Sequence, residues 1–293
     1  MSAPFRAACV QLRSGEDVAA NIVAASALIR EAHGQGASFV ATPENTALMT
    51  ADAGAKLDKS FAEDADAALP AFRRLVDELG IWLLIGSLAI KVGATKTANR
   101  SYLIAPGGEI AARYDKIHLF DVDLPGGEQY RESDTVAGGE EAVSADLPGG
   151  RMGLSVCYDL RFPQLYRALA EAGAFLFTIP AAFTETTGKA HWEVLLRARA
   201  IENGAYVMAP AQGGLHTNGR RTFGHSMIVS PWGEVLAEAG TEPGVILADI
   251  DPAQSVAART QIPSLRHGRR FVVKPDVTLA VRRLSGEKHP SED

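Results

Sequence analysis

Gly153-Leu154-Ser155-Val156-Cys157-Tyr158-Asp159-Leu160-Arg161-Phe162-Pro163 is an apolar run that ends on a cysteine and passes within a few residues into helix-forming sequence. Met152 to Val156 reads as a strand, and Arg161 to Ala172 as the helix after it, capped by Gly173. A sharp strand-to-helix turn presents the side chain at its apex and aims the following N–H groups at whatever binds there. Such groups stabilise an oxyanion, and the nearby helix N-terminus favours thiolate over thiol. On these residues alone, a buried cysteine that merely ends a strand is an equally good reading, because free cysteine is among the most buried residue types.

Outward from this turn, strand-like and helix-like segments alternate. Upstream, strands are read at Phe5 to Leu12, Ser38 to Ala41, Ile81 to Ala89, Asn99 to Ala105 and Glu109 to Asp115. Helices are read at Glu16 to His33, with Gly34 as C-cap, and at Ala65 to Leu79. Pro106-Gly107-Gly108 is a hairpin turn. Downstream, strands fall at Phe175 to Ile179, Tyr206 to Ala209, Phe223 to Val229 and Val245 to Ile250, with a helix from Ala190 to Asn203 closed by Gly204. His118 to Gly139 reads as a long loop, and loops of that length in compact domains are usually functional. The pattern predicts an α/β layered fold. With no repeat, linker or composition shift, the expectation is one domain over 1–275 and a C-terminal tail over 276–293, loose from Ser285 onward.

Composition narrows the function classes. The 293 residues carry a formal charge of -6, so no global basic field attracts nucleic acid. The two cysteines, Cys9 and Cys157, form no disulfide framework, and Cys9 lies in the apolar run Ala7-Ala8-Cys9-Val10 as a buried strand residue. No charged and apolar leader opens the chain, and no apolar run reaches the roughly 18 residues of a membrane span. A cytoplasmic protein is expected. Gly34-Gln35-Gly36 follows a helix and precedes a strand, the wrong order for a dinucleotide fingerprint. Neither Gly-x-Ser-x-Gly at Gly153 nor any zincin or Cys-x-x-Cys spacing is present.

A thiol nucleophile needs a base or a lowered pKa. Spacing does not exclude any of the seven histidines as that base. Thr42-Pro43-Glu44-Asn45 offers a carboxylate just past a strand end, where burial would raise its pKa; read alone, Glu44 is better explained as a solvated loop residue. Lys116, just past another strand, would stabilise negative charge on a reacting carbonyl; read alone, it pairs with Asp115.

Together, Pro43-Glu44-Asn45, Tyr114-Asp115-Lys116-Ile117-His118-Leu119 and Cys157-Tyr158-Asp159-Leu160-Arg161-Phe162-Pro163 resemble, in order, three motifs of the nitrilase superfamily of carbon–nitrogen hydrolases. The resemblance spans roughly Phe5 to Arg270. It implies an α-β-β-α sandwich of two stacked mixed sheets flanked by helices. It makes Glu44 the general base, Cys157 the nucleophile, Lys116 an oxyanion stabiliser and the Tyr158 N–H a second oxyanion donor. A further active-site glutamate is implied, Glu132 of Glu132-Ser133, with Glu128 as competitor. No metal or cofactor is implied, and pairing through the helices Arg161 to Ala172 and Ala190 to Asn203 suggests a homodimer or higher homo-oligomer.

The stretches Ala190 to Glu202 and Gly224-His225-Ser226-Met227 resemble the deaminated-glutathione amidases and their ω-amidase-like relatives. The implied substrate is a small linear carboxylated amide, with Arg161 as a candidate carboxylate ligand, or as a structural partner of Asp159, and Arg220-Arg221 as a basic loop near an anionic tail. The alternatives are an ω-amidase acting on 2-oxoglutaramate, a true nitrilase, and a non-catalytic binding or assembly protein.

Overall fold

The computed structural model describes residues 3–50, 52–124 and 127–273. The tail beyond residue 275, including Ser285 to Asp293, lies outside them. The first half runs β1 (Phe5–Gln11), α1 (Val18–Gly34), β2 (Phe39–Ala41), α2 (Ala53–Asp58), α3 (Ala68–Leu79), β3 (Trp82–Lys91), β4 (Thr97–Ile104), β5 (Ile110–Asp115), β6 (Asp121–Asp123), β7 (Gln129–Arg131) and β8 (Val136–Ala137). The second half runs β9 (Ser144–Leu147), β10 (Gly150–Leu154), α4 (Pro163–Glu171), β11 (Leu176–Thr178), α5 (Glu185–Asn203), β12 (Tyr206–Ala209), β13 (Gly213–Leu215), β14 (Arg221–Phe223), β15 (Met227–Val229), β16 (Val235–Glu238), β17 (Gly244–Ile250) and α6 (Pro252–Gln261).

Two mixed sheets carry the fold, one ordered β17-β1-β2-β3-β4-β5 with β8 beside β4, the other β16-β15-β12-β11-β10-β9. Strand alternation explains how they stack. Along β1, Ala7 and Cys9 enter the core shared with the second sheet, while Ala8 and Val10 enter a separate core with Ile29 of α1 and Phe72 of α3. Tyr166 of α4 and Trp192 of α5 cover the other side of the second sheet. The result is the α-β-β-α sandwich that the sequence implied.

The centres of both sheets are parallel, β1-β2-β3 in one and β10-β11-β12 in the other. β5 is antiparallel to β4, which is antiparallel to β3, so β2, β3 and β5 end on the same edge. Glu44 follows β2, Lys116 follows β5 and Cys157 follows β10. Carboxyl ends of parallel strands are where open α/β sheets bind ligands. Beyond these ends the sheets are tied together: Leu12 bridges Gln212, and the Gln212 side-chain amide donates to the Glu44 carbonyl at 3.0 Å.

Several boundaries differ from those read in the sequence. The first helix is capped by the Asp17 side chain and runs through Gly34 to a C-cap at Gln35. The segment after Cys157 is first a 3₁₀ turn, Cys157–Arg161, and α4 begins only at Pro163, because proline suits a helix's first turn. α5 begins at Glu185 under a Thr184 cap, earlier than Ala190. Phe223 to Val229 is not one strand: His225, at φ 54, breaks it between β14 and β15. The long loop holds the hairpin β6–β7, a 3₁₀ turn at Glu132–Asp134 and β8.

Candidate active site

Glu44 sits in a turn held shut by its neighbours. Thr46 Oγ1 donates to the Pro43 carbonyl at 2.7 Å, and Asn45, at φ 58, donates its N–H to Ser87 Oγ at 2.9 Å. Asparagine tolerates this left-handed geometry better than most residues. Gly86 of β3 lies directly beneath: a Cβ there would stand 2.0 Å from the Thr42 carbonyl oxygen and 2.5 Å from Pro180 Cβ. Only glycine lets the two sheets approach at this point.

The elbow at Cys157 is equally constrained. Its backbone takes φ 50, its N–H donates to the Pro180 carbonyl at 2.8 Å, and the Val156 N–H donates to Asp159 Oδ2 at 2.8 Å. Asp159 is fully buried and also accepts from the Tyr114 hydroxyl at 2.6 Å and the His118 N–H at 3.0 Å. One carboxylate thereby locks the cysteine turn to the segment that carries Lys116. The Tyr158 N–H has no acceptor among the described residues and is free for a ligand.

Glu44, Lys116, Glu132 and Cys157 converge on one cavity of about 320 Å³. Lys116 Nζ donates to Glu44 Oε1 at 2.9 Å and to Glu132 Oε2 at 2.8 Å, with its side chain only 2% exposed. The Ala182 N–H donates to Glu44 Oε2 and the Phe120 N–H to Glu132 Oε2. Burial opposes the Lys116 charge, but Glu132, Glu44 and Cys157 overcome it and hold the ammonium well above its ordinary pKa. Burial likewise opposes the Glu132 charge, yet Lys116 and Lys56 hold that carboxyl down at about 2. The Cys157 thiol is pushed well up, by burial first and by the Glu44 carboxylate second. The helix-terminus argument for a standing thiolate therefore loses to desolvation: the group at rest is a thiol beside a carboxylate.

Of the two loop glutamates, Glu132 enters the cavity, whereas Glu128 is exposed and accepts from the Tyr130 hydroxyl. Lys116 does not pair with Asp115, whose partner is Arg100. Arg161 does not pair with Asp159 either. Its guanidinium lies over the rings of Tyr158 and Phe183, donates to His191 Nδ1, and stays outside the cavity lining. Both rings line the cavity, so Arg161 stands just behind its wall. Among the described residues no histidine lines the cavity, and no cluster of His, Cys, Asp and Glu is arranged to hold a metal.

Asn99 was not foreseen. Its Nδ2 donates to Glu44 Oε1 at 2.9 Å and Glu132 Oε1 at 3.1 Å, fastening both carboxylates. A polar side chain inside a strand, one residue from a charged neighbour, was the available signal, but only the β4–β5 register aligns Asn99 with Lys116. Lys56 and Arg220 also line the cavity. The whole arrangement can take a proton from a thiol, hold it nearby and meet a developing oxyanion with an ammonium and a backbone N–H.

A family model described as carbon-nitrogen hydrolase matches residues 6–260. The chain is 45% identical over 273 residues to a deaminated glutathione amidase of Synechocystis sp., covering 92% of this chain and 99% of that one. It is 38% identical over 266 residues to the human omega-amidase NIT2, covering 90% and 95%. Among solved structures, a mutant of the amidase from Nesterenkonia sp. AN1, with the acetamide moiety of fluoroacetamide added covalently at its active-site cysteine, aligns with TM-score 0.78 at 27% identity over 95% of this chain and 96% of that one.

Proposed function

The chain belongs to the carbon–nitrogen hydrolase family, and on that footing we propose that it hydrolyses a small linear carboxylated amide, deaminated glutathione above all, through a thioester on Cys157. The observation that carries this reading is the closed set of contacts among Glu44, Lys116 and Glu132 around a buried thiol at one cavity. Glu44 takes the thiol proton as the sulfur attacks the amide carbon. The Lys116 ammonium and the Tyr158 N–H receive the oxyanion. Glu44 returns the proton to the leaving nitrogen, ammonia departs, and a water deprotonated by Glu44 cleaves the thioester to acid and free thiol. Glu132 and Asn99 hold Lys116 and Glu44 in register; Arg161 backs the aromatic wall of the cavity.

The substrate follows from the relatives: deaminated glutathione first, with 2-oxoglutaramate as the second reading because of the likeness to an omega-amidase. A free nucleophilic thiol must stay reduced, which favours a reducing compartment such as the cytoplasm. Among the described residues no helix is long and apolar enough to cross a membrane. Val194 and Ile201 on α5 and the nearby Trp232 are more than half exposed, an apolar face suited to pairing with a second copy of the chain.

The test is ammonia release from the purified protein over deaminated glutathione, 2-oxoglutaramate, an aliphatic amide, an N-carbamoyl amino acid and a nitrile. Fastest release from deaminated glutathione is expected. Preference for 2-oxoglutaramate moves the protein to the second reading, and turnover of the nitrile alone overturns both. Release from none of them leaves a binding or assembly protein.

A further inference from the structure

The catalytic cluster holds two carboxylates against one ammonium, so it repels an anionic substrate unless cations stand elsewhere in the cavity. Two do. Lys56 and Arg220 both line the cavity, and neither lies within ion-pair distance of a carboxylate among the described residues. The other lining cations are engaged, Lys116 by Glu44 and Glu132, and Arg131 by Asp123. Asp52, at the exposed rim, accepts from the Ala55 N–H as the cap of α2.

We propose that Lys56 and Arg220 form the seat for a carboxylate at the far end of the amide substrate, and that this seat selects anionic over neutral amides. The inference rests on the amidase reading above and adds the residues that read the substrate's charge. Arg220 is fixed in place. One Nη donates to the Ala182 carbonyl at 3.0 Å, its guanidinium lies over the Tyr130 ring at 5.4 Å, and its Nε is buried with no partner among the described residues. Ala182 is also the residue whose N–H holds Glu44, so one short segment sets the seat at a constant distance from the base. Lys56 is half-buried on α2 and donates to no acceptor among the described residues. Burial lowers its pKa, a penalty that an incoming carboxylate relieves. A guanidinium fork and an ammonium together suit a carboxylate at the end of a flexible chain.

The experiment compares glutaramate with pentanamide, which has the same number of carbons and no carboxylate. The wild-type protein is expected to favour glutaramate in kcat/KM. Arg220→Gln and Lys56→Met should each lower that preference about tenfold, chiefly through a higher KM for glutaramate, the scale of one lost charge-assisted hydrogen bond. Arg220→Lys should recover part of it. Glutarate binding to Cys157→Ala protein, followed by calorimetry, reads the seat without catalysis and should weaken when either cation is replaced. An equal loss on both amides, or unchanged glutarate binding in both variants, overturns the proposal. If glutarate binds through Lys56 and Arg220 but no amide is hydrolysed, the seat stands and the amidase reading falls.

Discussion

Two ionic clusters share the same pair of strands and do opposite things. On β4 and β5, Arg100 and Asp115 face one way and meet Glu63 and Arg113 in a half-exposed network. The next residues along, Asn99 and Lys116, face the other way and meet Glu44 and Glu132 in a largely buried cluster. Period-two alternation separates the two sets by a single residue. The outer cluster matches two cations to two carboxylates, and with side chains 20 to 46% exposed its pairs are screened. The inner one leaves a carboxylate in excess beside a protonated thiol, where low dielectric makes proton transfer respond to small moves. Ion pairing near a strand end is thus no mark of chemistry; enclosure, uneven charge and a nucleophile are.

That contrast breaks first at Glu44. Glu44→Gln keeps the shape of the site and removes its proposed base, so kcat/KM should fall by about 10²–10⁴ while the fold is retained; steady-state ammonia assays with a circular-dichroism control measure it. Lys116→Met strands two buried carboxylates and should lower stability by about 3–5 kcal/mol in urea unfolding. The pH dependence sharpens the same point. Glu132 is held at about 2 against an ordinary 4.5, so the stability it contributes is complete above pH 4.5 and is lost as pH falls through 2. The advantage of wild type over Glu132→Gln in thermal unfolding should therefore shrink steadily below pH 4.5, from at most about 3 kcal/mol. The outer cluster supplies the smallest effect: Arg113→Gln should cost no more than about 1 kcal/mol and leave kcat unchanged.

What the sequence made legible follows the range of the interactions. Cys157, Glu44 and Lys116 each sit at a strand end marked by local signals, a Pro-Glu turn or an apolar run that stops at a polar residue, and the apolar central strands of both sheets announce themselves by composition, whereas β8 and the edge strands β9 and β16 do not. Asn99 became meaningful only through its register against β5, and Lys56 only through the fold of α2 over the cavity. The hairpin β6–β7 was hidden in polar sequence because its strands are three residues long and its apolar residues, Val122 and Tyr130, are too few to set a period. The break at His225 was hidden because a left-handed φ at a non-glycine residue leaves no trace in composition. The sequence leaves Arg161 open between a substrate carboxylate and Asp159; the structure gives Asp159 to Tyr114, His118 and Val156, a choice made by burial at 0% exposure.

The two cysteines allow the most direct test of the central claim. Both are buried and both thiols are pushed up by burial, but Cys9 lies within β1 in the core between the sheets, while Cys157 stands at φ 50 beside Glu44 and Lys116. Ammonia release from one preferred amide should be measured for wild type, Cys157→Ala and Cys9→Ala side by side. The account predicts background release from Cys157→Ala and near-wild-type release from Cys9→Ala. Sustained turnover by folded Cys157→Ala would contradict it.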